Sequence, residues 1–126
     1  MKQAFREDLT IYKQIALNIE NAILEGGLKP EERLTSLRES AVEMEVNINT
    51  IMRAYNLLEE ERVLRKKRGL GFFVSEDALG IIQKKRRKDF YQYTVPELSK
   101  TLERLEIDVE DLVEALKKEG TRRNLL

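Results

Sequence analysis

Residues 34–74 read LTSLRESAVEMEVNINTIMRAYNLLEEERVLRKKRGLGFFV, and the fold is decided there. Ser36-Leu37-Arg38-Glu39 is a capping-box pattern: the Ser36 hydroxyl can accept from the Glu39 N–H, and the Glu39 carboxylate can reach back to the N–H of Ser36. A helix is predicted from Leu37 to about Glu45, with Leu37, Ala41, Val42 and Met44 at three- and four-residue steps. Asn47 is a good N-cap for a second helix, predicted from Ile48 to about Glu61. Ile51, Ala54, Tyr55 and Leu58 fall on one face of it. Asn49, Thr50, Met52, Arg53 and Asn56 fall on the other, and its acids wait until the last turn.

Two short helices joined this tightly form a helix-turn-helix, whose second helix offers its N-terminal residues to base edges in the major groove. Asn suits bidentate pairing with adenine, and Arg suits guanine or phosphate. Val63 to Val74 then reads as two short runs around a turn containing Gly69 and Gly71, with Arg65, Lys66, Lys67 and Arg68 just before it. Glycine permits the positive φ of a tight hairpin. A hairpin with a cationic tip after a helix-turn-helix is the winged form of the motif, and its tip is suited to phosphates or the minor groove.

These residues resemble the GntR family of bacterial transcription regulators. The likeness is carried by Leu34, Ser36, Arg38, Ala41, Val46, Asn47, Asn49, Thr50, Ala54, Tyr55, Leu58 and Glu59. It continues in the wing through Arg68, Gly69, Gly71, Phe73 and Val74. The short tail and the Asn47-x-Asn49-Thr50 and Arg53-Ala54-Tyr55 forms are similar to its YtrA subfamily. Thr35 stands where the family usually has Pro, Glu31 and Glu45 where it usually has Gly, and Ile48 and Met52 where many relatives have Arg. Ile48 or Met52 could instead touch a thymine methyl. The resemblance implies a repressor, often of a transporter operon.

Composition narrows the remaining classes. The chain has 126 residues with no Cys and no His, which leaves no thiolate or imidazole for metal binding and no Ser/His or Cys/His nucleophile pair. Gly69-x-Gly71 follows a basic strand and lacks a third Gly, so it is not a dinucleotide fingerprint. No cofactor, metal or catalysis is expected. No apolar run approaches a membrane span and no signal-peptide core is present, so a cytoplasmic setting is expected. Basic and acidic side chains balance at 23 each. For a DNA binder this puts the weight on distribution: from Arg62 to Arg68 five of seven residues are basic and none is acidic.

The first helix is predicted to start at Ile11 behind a Thr10 cap, with Ile11, Ile15, Ile19 and Ile23 on one side, and to end at Gly26-Gly27. The connector Leu28–Leu34 offers a short strand to the wing, limited to an edge by Pro30. Residues 1–75 are therefore assigned to a winged helix-turn-helix, and 76–126 to a helical dimerisation segment. In the latter, Ser75 is expected to cap a helix bearing Leu79, Ile82, Phe90 and Tyr93. The run Lys84–Lys88 either contacts phosphates or is a solvated face. Thr94-Val95-Pro96-Glu97 reads as a new capping box before Leu98, Leu102 and Leu105. Asp108 caps a last helix with Leu112, Val113 and Leu116, and residues from Thr121 onward are expected to be disordered. So few residues cannot bury these leucines alone, which predicts a two-fold homodimer.

The architecture expected is mainly α with a small β-wing. Its candidate DNA contacts are Ser36, Arg38, Asn47, Asn49, Thr50, Arg53, Lys67, Arg68 and Gly69. Bland roles stand beside them: Asn47 as a cap only, Arg53 paired with Glu59 or Glu60, Arg68 merely solvated. The function expected is a sequence-specific regulator that binds a palindromic double-stranded operator as a homodimer. A small effector at the dimer interface is allowed for, although no residue points to one. The competing reading is a winged-helix protein-interaction module with no DNA readout.

Overall fold

The computed structural model describes residues 7–123. In chain order the elements are α1 (Glu7–Leu24), α2 (Leu37–Met44), α3 (Ile48–Glu60), β1 (Leu64–Lys67), β2 (Gly71–Val74) and α4 (Ala78–Asp89). A π-helical turn (Phe90–Thr94), α5 (Val95–Leu105) and α6 (Val109–Arg122) follow. The chain divides into two units between Lys85 and Arg86.

The first unit is a winged helix-turn-helix. The four-residue repeat of α1 puts Ile15, Ile19 and Ile23 in the core, where they meet Ile51, Ala54, Tyr55 and Leu58 of α3. Ile51, Ala54 and Leu58 are wholly buried, which is the face that periodicity assigned to the interior. α1 includes Thr10, which therefore lies within the helix instead of capping it.

Two caps set the angle between α2 and α3. Ser36 accepts from the Glu39 N–H at 3.1 Å, and its own hydroxyl donates to the Glu39 carboxylate at 3.0 Å. The reciprocal bond thus runs from side chain to side chain, and not to the Ser36 N–H as expected. Asn47 Oδ1 accepts from the Asn49 N–H at 2.7 Å. Between the helices Glu45 turns the chain in a left-handed conformation, φ 55° and ψ 45°. Tyr55 locks the pair: its hydroxyl donates to the Thr35 carbonyl at 2.7 Å and shares a hydrogen bond of 3.0 Å with Ser40.

The wing is antiparallel, pairing Leu64 with Val74, Arg65 with Phe73, Lys66 with Phe72 and Lys67 with Gly71. Leu64, Phe72 and Val74 turn inward, as the two-residue period of a strand requires. The connector adds a third, minimal edge. Arg33 bridges to Phe73, and the Leu34 N–H donates to the Phe72 carbonyl at 2.8 Å.

α4 departs from expectation. It begins at Ala78, and Ser75 does not cap it: the buried Ser75 hydroxyl has no hydrogen-bond partner. Ala78 and Ile82 are completely buried in the core of the first unit. Ile82, expected in the dimer interface, is thus already covered by the chain itself, because the first turns of α4 complete the winged-helix core. Leu79 lies on the outside of the same turns. Lys85 reaches back to the buried Glu20 of α1, and to Glu61 at 3.1 Å. Burial depresses the Lys85 ammonium, but the hydrogen bonds to the two carboxylates outweigh it, and its pKa ends above the ordinary value.

In the second unit no new helix starts at Thr94. The backbone stays helical through Phe90–Thr94, and Thr94 makes no capping bond. The Val95 N–H reaches Phe90, five residues back. Proline explains the widened turn: Pro96 has no N–H to donate, and its ring presses on the carbonyl four residues earlier. Glu106, at φ 52°, ends α5, and Asp108 starts α6 through its backbone carbonyl without a side-chain bond. α6 continues through Thr121 and Arg122, where disorder was expected; residues 124–126 lie outside the described part. Leu102 and Leu112 are half-buried, whereas Phe90, Tyr93, Leu98, Leu105, Val113 and Leu116 are exposed.

Candidate nucleic-acid interface

The outer face of α3 carries Asn49, Arg53 and Asn56, all exposed. It is outward because the opposite face is spent on the core. Asn47 does cap, so its side-chain oxygen is committed to the backbone. Thr50 is half-buried on the flank. Arg53 pairs with neither Glu59 nor Glu60: its guanidinium lies over the Tyr12 ring, 4.4 Å from the centroid. An aromatic face holds a guanidinium by charge–quadrupole attraction while leaving its N–H edges to bond elsewhere. Ile48 and Met52 flank this face and are exposed. At the edge of the polar strip they leave apolar surface open to a partner group.

Arg38 is the second residue of α2 and points into solvent. Ser36, one turn edge away, is half-buried and engaged with Glu39. At the wing, Arg68 and Gly69 form an exposed tip, closed by a bond of 2.8 Å from the Leu70 N–H to the Lys67 carbonyl. Gly69 has φ 78°, which glycine adopts without strain. Lys67 leans over Phe73, with its ammonium 4.3 Å from the ring centroid. Arg65 turns to Glu31 at 3.9 Å, an exposed pair of small value.

Two residues of this surface were not among the candidates. Asn56 lies on the predicted outer face of α3, where residue type alone gives it no contact role. Arg33 comes from the connector, and its Nε lies 3.3 Å from where a Cβ on Gly71 would sit. The family-like glycine at 71 thus serves a close approach as well as its φ of 108°. Only the edge pairing of residues 31–34 with the wing brings Arg33 there, and that pairing has weak sequence signals. In the basic run of α4, Lys85 is taken inward, whereas Lys84, Arg87 and Lys88 are exposed.

Among the described residues no group of three acidic, His or Cys side chains could hold a metal ion. No described helix is long and apolar enough to cross a membrane.

The family model for bacterial regulatory proteins of the gntR family matches residues 11–74. The chain belongs to the GntR family. That match spans α1 through β2, the whole of the helix-turn-helix and wing. The family's members are bacterial regulatory proteins, and this chain carries the domain that defines them. The HTH-type transcriptional repressor YtrA of Bacillus subtilis is 38% identical over 73 residues, 58% of this chain and 56% of YtrA. The match thus covers little more than half the length of that relative. Two solved structures extend the likeness into the tail. A protein described as a GntR-family transcriptional regulator from Bacteroides thetaiotaomicron superposes with TM-score 0.72 and 35% identity. It covers 90% of this chain and 98% of its own. A GntR-family regulator from Listeria monocytogenes gives 0.71 and 33%, over 86% and 93%.

Proposed function

We infer that this GntR regulator is a cytoplasmic repressor that reads a palindromic operator as a homodimer, with a transporter operon as the natural target. The single observation behind the reading is the division of α3. One side is wholly buried and the other is a polar strip of Asn49, Arg53 and Asn56. Arg53 and Asn49 would meet base edges, with Ile48 or Met52 on thymine methyls. Arg38, Lys67 and Arg68 would meet phosphates or the minor groove and fix the register. The formal charge of zero argues for modest affinity per chain and a steep dependence on salt.

Pairing is proposed through the tail. Leu98, Leu105, Val113 and Leu116 stay exposed in one chain at helical spacing. Side chains of this kind in a row mark an association surface. A dimer also supplies the two half-sites that a helix-turn-helix protein reads, with operator symmetry mirroring its own.

Selection of bound duplexes from a random pool, followed by gel retardation at low and moderate salt, tests the reading. A symmetric consensus with salt-sensitive retardation is expected. A protein-interaction module would retain no duplex at either salt.

A further inference from the structure

On the side of α3 turned to the connector and wing lies a cavity of about 230 Å³, open to solvent at its mouth. Leu34, Leu37, Met52 and Phe72 make its walls. Leu34 and Phe72 are buried core residues, so that wall is held in place from behind. Two cations, Arg33 and Lys66, also line the cavity, and no acidic side chain does. The ion pairs of the described residues leave Arg33 out, whereas nearby Arg65 is occupied by Glu31. The Ser36 hydroxyl is engaged by Glu39 and is not free to serve a ligand. Asn56 offers an amide at the same edge.

We propose that this cavity binds a small monocarboxylate with a flat or short apolar body, of the size of benzoate. An apolar wall beside an unpaired guanidinium fits a molecule that is apolar at one end and anionic at the other. A neutral apolar ligand would leave the cations unused, and a phosphate would leave the walls unused. The volume equals that of roughly seven or eight waters at ~30 Å³ each, room for one ring and too little for a nucleotide. Occupancy also places a molecule between Met52 and Asn56 on one side and the wing on the other. Bound carboxylate therefore competes with DNA, a second step that rests on the proposed role of α3.

The test uses methyl NMR of the full chain, reading Met52, Leu34 and Leu37 during titration with benzoate, and with benzyl alcohol as a neutral match in size. Saturable shifts at all three methyls are expected, with a dissociation constant in the roughly millimolar range for so small a ligand. Benzyl alcohol should bind about five-fold or more weakly, and Arg33→Gln should erase that difference. The same spectra report whether Arg33→Gln is folded; if it is not, Lys66→Gln carries the comparison. Absence of saturable shifts, or equal binding of the two probes to the unaltered chain, overturns the site.

Benzoate is then added to the complex with a selected duplex at constant ionic strength. Release of the duplex upholds competition, and retention of the duplex alongside saturable methyl shifts overturns it. If no duplex binds at all, the reading of α3 fails, and the cavity stands or falls on the methyl shifts alone.

Discussion

The guanidinium of Arg53 on α3 rests on the ring of Tyr12 on α1, 4.4 Å from its centroid. Arg53 is a long side chain at the centre of an exposed strip, and stacking fixes its direction before any contact with DNA is made. Tyr12→Leu, which keeps an apolar contact but removes the ring, should weaken binding to a selected duplex by about 0.5–1 kcal/mol. Tyr12→Phe should bind normally. Fluorescence anisotropy titrations measure both, and equal losses in the two variants would refute the stacking role.

Arg38 stands at the start of α2 with its side chain in solvent. Arg38→Ala should cost about 1–3 kcal/mol of duplex affinity with no change in thermal midpoint. If its partner is a phosphate, the salt dependence of binding also becomes shallower by about one counterion. Unchanged affinity in the folded variant would remove Arg38 from the interface.

Glu45 occupies a left-handed conformation at the end of α2, φ 55°. A side chain with Cβ is strained there, and glycine is not. Glu45→Gly should raise the stability by roughly 0.5–1 kcal/mol, after allowance for the greater freedom of glycine in the unfolded chain. Urea unfolding would show the midpoint moving up, and a downward shift would contradict the argument.

Tyr55 is held by Thr35 and Ser40, and burial pushes its phenol above the ordinary 10.0. A raised folded pKa means that its contribution is intact below pH 10 and is lost as pH rises from there through the folded value. Lys85, also raised, loses its contribution in the same direction, above its ordinary 10.5. Urea unfolding from pH 7 to pH 11 should therefore show stability falling above about pH 10. Tyr55→Phe should cost about 1–2 kcal/mol at neutral pH, by leaving its two partners short of a bond. Its alkaline decline should be shallower than that of the unaltered chain.

Ile82 and Leu116 separate the core from the proposed association surface. Ile82 is wholly buried and Leu116 largely exposed. Ile82→Ala should destabilise by about 2–4 kcal/mol whatever the protein concentration. Leu116→Asp should leave the first unit folded but shift sedimentation toward the single chain. A concentration-dependent loss in the Ile82 variant would put that residue back in the interface.

Much of the first unit could be read directly from residues. Ser36 and Asn47 announce their caps by type and spacing, and Ile51, Ala54, Tyr55 and Leu58 declare the inner face of α3 by period. The tail was harder to read. Ile82, Phe90 and Tyr93 form one apolar stripe on paper, yet Ile82 packs on the winged unit and the other two do not. A periodic pattern says that a face is covered without saying by what. Thr94-Val95-Pro96-Glu97 looks like a start because cap residues and an interrupted helix carry the same letters. Arg33 was not legible because its place depends on the edge pairing of residues 31–34 with the wing, a long-range contact with no local signature.

The widened turn at Phe90–Thr94 acts as a phase dial for everything that follows. It holds one residue more than an α-helical turn would close over, so removing a residue there would spin Leu98, Leu102 and Leu105 by about 100° around the axis. The leucine seam would then look out in a different direction with every side chain unchanged.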